Sequence, residues 1–256
     1  MSSERNLRVG VIGLGAGRGH VLRYKDHPRA DVVAVADANA ALLDERAEVL
    51  GVALRYTDPL EMLRKEKLDI VSVATPNKFH YPLTLAALEA GCHVLCEKPI
   101  ALNASEGRQM VAAAKRAQKR LMVNFSFRFT DQSWALKQQV EAGVLGDVYF
   151  GRTVWHRRRG LPKFGGWFGQ KELSGGGALI DLGVHRLDLA LWLMGHPRPV
   201  YAMAGTYNHI AAQKVRRENE LFDVEDLAAG TVRFDNGALL VVEASWAANR
   251  SRSRNT

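Results

Sequence analysis

Gly13-Leu14-Gly15-Ala16-Gly17-Arg18-Gly19-His20 follows an apolar run and opens a helical pattern. Glycine lets backbone N–H groups approach a phosphate, which then rests at a helix N-terminus, so this stretch suits a dinucleotide pyrophosphate. Its spacing is GxGxGxG rather than GxGxxG, and Arg18 stands where the third glycine would, as a candidate pyrophosphate ligand or lid. Asp37 lies 22 residues beyond Gly15, where a carboxylate accepts hydrogen bonds from ribose hydroxyls. A 2′-phosphate would meet its charge, and Ala38 and Asn39 offer no arginine, so NAD is expected rather than NADP. The plainer reading is a glycine turn packing a helix on a sheet, with Asp37 as a helix cap.

Two further stretches carry reactive types. Glu97-Lys98-Pro99 follows an apolar strand, so Lys98 would point toward a cofactor crevice at the carboxyl edge of a sheet. Ala74-Thr75-Pro76-Asn77 ends another such strand, and is either a ligand loop or a proline-initiated turn. Downstream, Gly175-Gly176-Gly177 leads into a helix on which Asp181 and His185, at i and i+4, share one face. A carboxylate beside an imidazole is an acid–base pair or a surface ion pair, and the three glycines argue for a close approach to the backbone.

These residues need elements to hold them. Residues 7–13, 31–37, 69–75, 93–98 and 121–125 are near-continuous apolar runs, with a shorter one at 52–56, and helical patterns stand between them. That alternation predicts a parallel sheet buried on both faces. Asp58 and Asn103 are candidate N-caps, and Gly51 and Gly91 candidate stops. Beyond about residue 125 come a helix near 131–142, a long strand, a glycine-rich loop, another helix, and two strands around Asn236-Gly237, a hairpin signal. The expected fold is α/β: an N-terminal Rossmann domain with a parallel sheet over 1–125, then a C-terminal α+β domain with a mostly antiparallel open sheet over 126–248. Residues 249–256 read as a disordered tail.

A chain of 256 residues, 47% hydrophobic and 24% charged, is ordinary for a globular protein and long enough for two domains. The net charge of +8 gathers in runs such as 156–159, Arg216-Arg217 and the tail, read mainly as solvated surface. No aromatics interleave with the basic residues, so nucleic acid is not an expected partner. The longest apolar runs are strand-sized and the start lacks a signal-peptide stretch, so no membrane partner is expected. Cys92 and Cys96, roughly 13 Å apart along one strand, are too far for a disulfide and suit a reducing, cytoplasmic setting. No metal-ligand spacing is present.

The glycine turn, Glu97-Lys98-Pro99 and GGGALIDLGVHRLD over 175–188 together resemble the glucose-fructose oxidoreductase, inositol dehydrogenase and MocA family over nearly the whole chain. The resemblance implies catalytic roles for Lys98, Asp181 and His185. It also implies an NAD site drawing on Gly13, Gly15, Gly17, Arg18, Asp37, Thr75, Pro76, Asn77, Glu97 and Lys98. Substrate contacts would come from Lys98, Asn124, Arg128, Trp155, Asp181 and His185, with His156 and Trp167 as further candidates. Family members are longer, so the second sheet reads as shortened; an unfinished edge bears on stability, oligomerisation and activity.

Residue chemistry points the same way. Oxidising a secondary alcohol requires a base for the hydroxyl proton while hydride passes to nicotinamide, and His185 suits that role near neutral pH. Asp181 would orient the imidazole, and the Lys98 ammonium would stabilise the developing alkoxide. The expected activity is an NAD-dependent dehydrogenase acting on CH–OH groups of a sugar, inositol or related polyol. An NAD-dependent glycosidase and a non-catalytic dinucleotide- or sugar-sensing regulator are the alternatives. A homo-oligomer could form through the second sheet.

Overall fold

The computed structural model describes residues 5–215 and 220–249, which fall into two compact units, one ending at Asn124 and one beginning at Phe125. Arg216-Arg217 and the tail beyond Asn249 lie outside the described residues.

In the first unit strands and helices alternate: β1 (Leu7–Ile12), α1 (Gly17–Lys25), β2 (Ala30–Ala36), α2 (Ala40–Leu50), β3 (Leu54–Tyr56), α3 (Pro59–Lys65), β4 (Ile70–Val73), α4 (His80–Glu89), β5 (His93–Cys96), α5 (Ala104–Arg116) and β6 (Leu121–Val123). The side chains of Asn39, Asp58 and Asn103 accept backbone N–H groups at the starts of α2, α3 and α5, and left-handed Gly51 closes α2. All six strands pair in parallel, in the order β3-β2-β1-β4-β5-β6. Val9, Val11 and Val35 pack with Val21, Leu43 and Leu50 on one face. Ile12, Ala34, Val71 and Val94 pack with Met62, Leu88 and Met110 on the other. Burial on both faces is why these strands read as continuous apolar runs. The order reverses beside β1, so the loops after β1, β2, β4 and β5 gather at one edge, where such sheets bind ligands.

The second unit comprises α6 (Asp131–Glu141), β7 (Phe150–His156), α7 (Lys171–Ser174), a π-helical turn (Leu179–Gly183), α8 (Val184–Leu193), β8 (Pro199–Tyr207), β9 (Leu227–Phe234) and β10 (Leu239–Ser245). Its sheet runs β7-β10-β9-β8 and is mixed: β7 lies parallel to β10, and the other two pairings are antiparallel. Gly237, at φ 86°, sits in the turn joining β9 to β10. The helical segment packs on one sheet face, with Leu187, Ala190 and Leu191 against Leu240 and Val242.

Two elements differ from the sequence reading. Strand β8 was not anticipated, because PVYAMAGTY alternates large with small residues rather than apolar with polar. The helix over 179–193 begins as a π turn, in which the Val184 N–H reaches back five residues to the Leu179 carbonyl.

Candidate functional site

The glycine turn is shaped by backbone contact. Gly13 has φ 89°, and a Cβ there would stand 2.6 Å from the Ala74 carbonyl oxygen; at Gly17 it would stand 2.8 Å from Val11 Cγ1. These two glycines let the turn lie against β4 and α1 against β1. Gly15 is different: nothing stands within 4 Å of its Cβ position, so its backbone faces open space. Helix α1 has neither a side-chain cap nor an acidic residue in its first turn, which leaves N–H groups available to an anion. Arg18 lies exposed in that first turn. The Asp37 carboxylate accepts the Leu14 N–H at 2.8 Å and the Asn39 N–H at 2.9 Å, fixing its orientation and leaving lone pairs for ribose hydroxyls. The open space over Gly15, the uncapped helix and the oriented acid fit a dinucleotide.

After β4, the buried Thr75 hydroxyl has no hydrogen-bond partner among the described residues, and Pro76 leads into a short turn containing the buried Asn77. Sequence reasoning missed His80. Fully buried, it reaches the Thr75 carbonyl with Nε2 (2.9 Å) and the Pro99 carbonyl with Nδ1 (2.7 Å), joining the loops after β4 and β5. Burial pushes its pKa down.

Glu97 faces inward to its own unit. Its Oε1 accepts from His20 Nε2 (2.9 Å) and Asn124 Nδ2 (2.7 Å), and its Oε2 accepts the Lys98 backbone N–H (3.1 Å). Burial alone would raise its pKa, but the hydrogen bonds from His20 and Asn124 outweigh it and hold the carboxyl at about 2. Glu97 and Asn124, expected to touch cofactor and substrate, bind each other beside Lys98.

In the second unit Glu225 grips the start of the π turn. Its carboxylate accepts the N–H groups of Gly177 (2.8 Å) and Leu179 (3.0 Å), and its carbonyl accepts that of Ala178 (3.1 Å). A Cβ on Gly177 would stand 1.8 Å from that carbonyl oxygen, which is the close approach the triple glycine signalled. Two residues past the last gripped N–H comes Asp181, whose Oδ2 accepts the indole N–H of fully buried Trp246 at 2.8 Å. One turn later the His185 ring meets Phe127 edge-on, with centroids 5.1 Å apart, and Trp155 at 5.9 Å. Phe127, Glu225 and Trp246 escaped the sequence reading because each is far from the motif along the chain.

Arg128, expected among the substrate contacts, meets a carboxylate of its own unit. Its guanidinium is bidentate to Asp188, at 2.7 and 2.5 Å, because α8 presents that carboxylate to the fork. The pair braces the turn that holds Phe127. Trp155 and His156 alternate across the sheet: Trp155 faces α8, whereas His156 lies 3.5 Å from Glu243 on the other face. Trp167 stacks on Phe168 at 3.8 Å. Lys98 belongs to the first unit, and Asp181 and His185 to the second.

The described residues hold no group of three or more His, Cys, Asp or Glu placed for a metal. None of their helices is long and apolar enough to cross a membrane. Cys92 and Cys96 are buried free thiols, pushed up by burial to about 11 and about 12.

Comparison with known proteins accounts for both units. Residues 7–125 match the model of an oxidoreductase family with an NAD-binding Rossmann fold, and residues 134–256 match the GFO/IDH/MocA C-terminal domain. The chain is 40% identical over 252 residues to the D-glucoside 3-dehydrogenase of Escherichia coli K12, spanning 95% of this chain and 71% of that protein. It is 30% identical over 240 residues to the myo-inositol 2-dehydrogenase of Thermotoga maritima, spanning 93% and 68%. Among solved structures, a levoglucosan dehydrogenase in complex with NADH and levoglucosan superposes with a TM-score of 0.82 at 30% identity, covering 98% of this chain and 69% of that one. The chain thus belongs to the GFO/IDH/MocA oxidoreductases, with an NAD-binding Rossmann fold.

Proposed function

We propose that this chain is an NAD-dependent dehydrogenase that oxidises a secondary alcohol of a sugar, inositol or related polyol. The observation that carries the reading is the build of the Asp181–His185 segment. Glu225 grips its backbone, Trp246 orients its carboxylate, and Phe127 and Trp155 confine its imidazole. Such support is what an acid–base pair needs if its geometry is to be held through a reaction.

NAD, when bound, supplies the ring carbon that accepts the substrate's hydride. Gly13, Gly15, Gly17 and Arg18 would hold its pyrophosphate and Asp37 its ribose, with Thr75, Pro76 and Asn77 lining the crevice. An imidazole nitrogen of His185 takes the hydroxyl proton, Asp181 favours the resulting imidazolium, and the Lys98 ammonium hydrogen-bonds the reacting oxygen. Trp155 offers an aromatic face to a hydroxylated ring. The 40% identical relative named a D-glucoside 3-dehydrogenase makes a glucoside the first substrate to try.

A cytoplasmic location belongs to the proposal, supported by the two free thiols. So does a homo-oligomer through the open face of the second sheet. Cross-strand register puts Phe150, Tyr201, Met203 and Tyr207 on that one face, and all four are exposed.

Purified protein is incubated with NAD or NADP against glucosides, inositols, sugar acids and aryl glycosides, following reduced cofactor and aglycone release. Cofactor reduction with a polyol, abolished by His185→Ala and by Lys98→Ala, is expected. Aglycone release without net reduction would replace the dehydrogenase reading with the glycosidase, and NAD binding without either product would favour the regulator.

A further inference from the structure

His20 has no role in the chemistry above, yet it is among the most firmly held polar side chains of the first unit. It lies on the first turn of α1, its side chain only 10% exposed, and both ring nitrogens are engaged. Nε2 stands 2.9 Å from Glu97 Oε1, and Nδ1 stands 3.0 Å from the hydroxyl of fully buried Ser72 on β4. The Tyr24 hydroxyl, one turn along α1, lies 3.3 Å from the same Ser72 oxygen. One imidazole therefore connects α1 to β4 and to the loop after β5.

The consequence falls on Lys98. The Glu97 carboxylate accepts the Lys98 N–H, so it sets the peptide plane from which the lysine side chain departs. The carboxylate in turn takes its orientation from His20 and Asn124, which share Oε1. On the far side of the lysine, the Pro99 carbonyl is held by His80. The helix whose N-terminus suits a pyrophosphate and the lysine suited to an alkoxide are thus joined by two side chains, His20 and Glu97.

We infer that His20 is a positioning residue: through the Glu97 carboxylate it sets the backbone of Lys98 and couples the dinucleotide-binding helix to the lysine. This rests on the reading of Lys98 proposed above only for its effect on turnover; the hydrogen-bonded chain itself is independent of that reading. The Nε2–H donor is the working part, and a glutamine, whose terminal amide can reach the same oxygen, serves in its place.

The first readout needs no ligand. Hydrogen exchange of the Lys98 amide is followed by NMR in the full chain, with Glu66 and Leu88 amides as internal references. In His20→Ala the Lys98 amide is expected to exchange at least about tenfold faster while the references hold, and His20→Gln is expected to return it to within about threefold of wild type. His20→Phe, which fills the volume without a nitrogen, substitutes if the alanine variant does not fold. With NAD and the alcohol substrate, His20→Ala is expected to lower kcat by about tenfold or more while the KM for NAD moves less than about threefold, again rescued by glutamine. An unchanged Lys98 amide in His20→Ala, or a glutamine variant as labile as alanine, overturns the inference. Full turnover in Lys98→Ala would instead overturn the role of the lysine and leave the exchange result standing.

Discussion

The indole N–H of fully buried Trp246 donates to Asp181 Oδ2 at 2.8 Å. The end of β10 thereby orients a carboxylate on the π turn. Trp246→Phe keeps most of the packing and removes the donor. The expected result is a fall in kcat of about tenfold with KM changed less than about threefold, and a loss of stability of roughly 1.5–3 kcal/mol, the worth of a hydrogen bond to a charged group. Steady-state kinetics beside a thermal melt check it; an unchanged kcat would remove Trp246 from the working site.

Gly177 leaves no room for a side chain. Its Cβ would stand 1.8 Å from the Glu225 carbonyl oxygen, so Gly177→Ala must push apart the two segments that meet there. Destabilisation of about 2–3 kcal/mol is expected, measurable as a lower urea midpoint. Glu225→Gln, which weakens the grip without a clash, should cost less than the alanine and lower kcat more than stability.

Arg128 and Asp188 make a planar, two-point contact that lysine cannot copy. Arg128→Lys is expected to lower activity several-fold by loosening Phe127 against His185, with a fall in kcat rather than a rise in substrate KM. A selective rise in KM would instead favour the substrate-binding role expected from the sequence.

Glu97 gives a signed pH dependence. Its carboxyl is held at about 2, below the ordinary 4.5, so the folded state favours the ionised form. That contribution is fully present above pH 4.5 and is lost as the pH falls from 4.5 through about 2. It amounts to roughly 3 kcal/mol at full size. Urea unfolding of wild type and Glu97→Gln at several pH values should show the two stabilities converging over that window.

Asp37 opposes a 2′-phosphate by charge. Asp37→Ala is expected to weaken NAD binding about tenfold or more and to narrow the preference for NAD over NADP. Fluorescence titration with both dinucleotides measures both effects. An unaltered preference would move cofactor selection to another residue.

Local patterns were enough for much of this. The apolar runs of β1, β2, β4 and β5 are visible because burial on both faces demands continuous apolar residues, and Asn103 marks a helix start through its capping side chain and Gly51 a helix end through its left-handed backbone. β8 was hidden because its large and small residues alternate without a polar face, and the π turn was hidden because one extra residue in a helical turn leaves no compositional trace.

The sequence by itself determined the fold class and the glycine turn with Asp37, which follow from short-range spacing, while its resemblance to a family's compact motifs singled out Lys98, Asp181 and His185 as candidates. Only the tertiary structure decided who holds those groups. Trp246 meets Asp181 across 65 residues, and Asn124 meets Glu97 across 27. Arg128 meets Asp188 across 60 residues. Hydrogen-bond partners are selected by distance in space, and sheet register and helix packing bring distant segments to bonding range in ways no local pattern records.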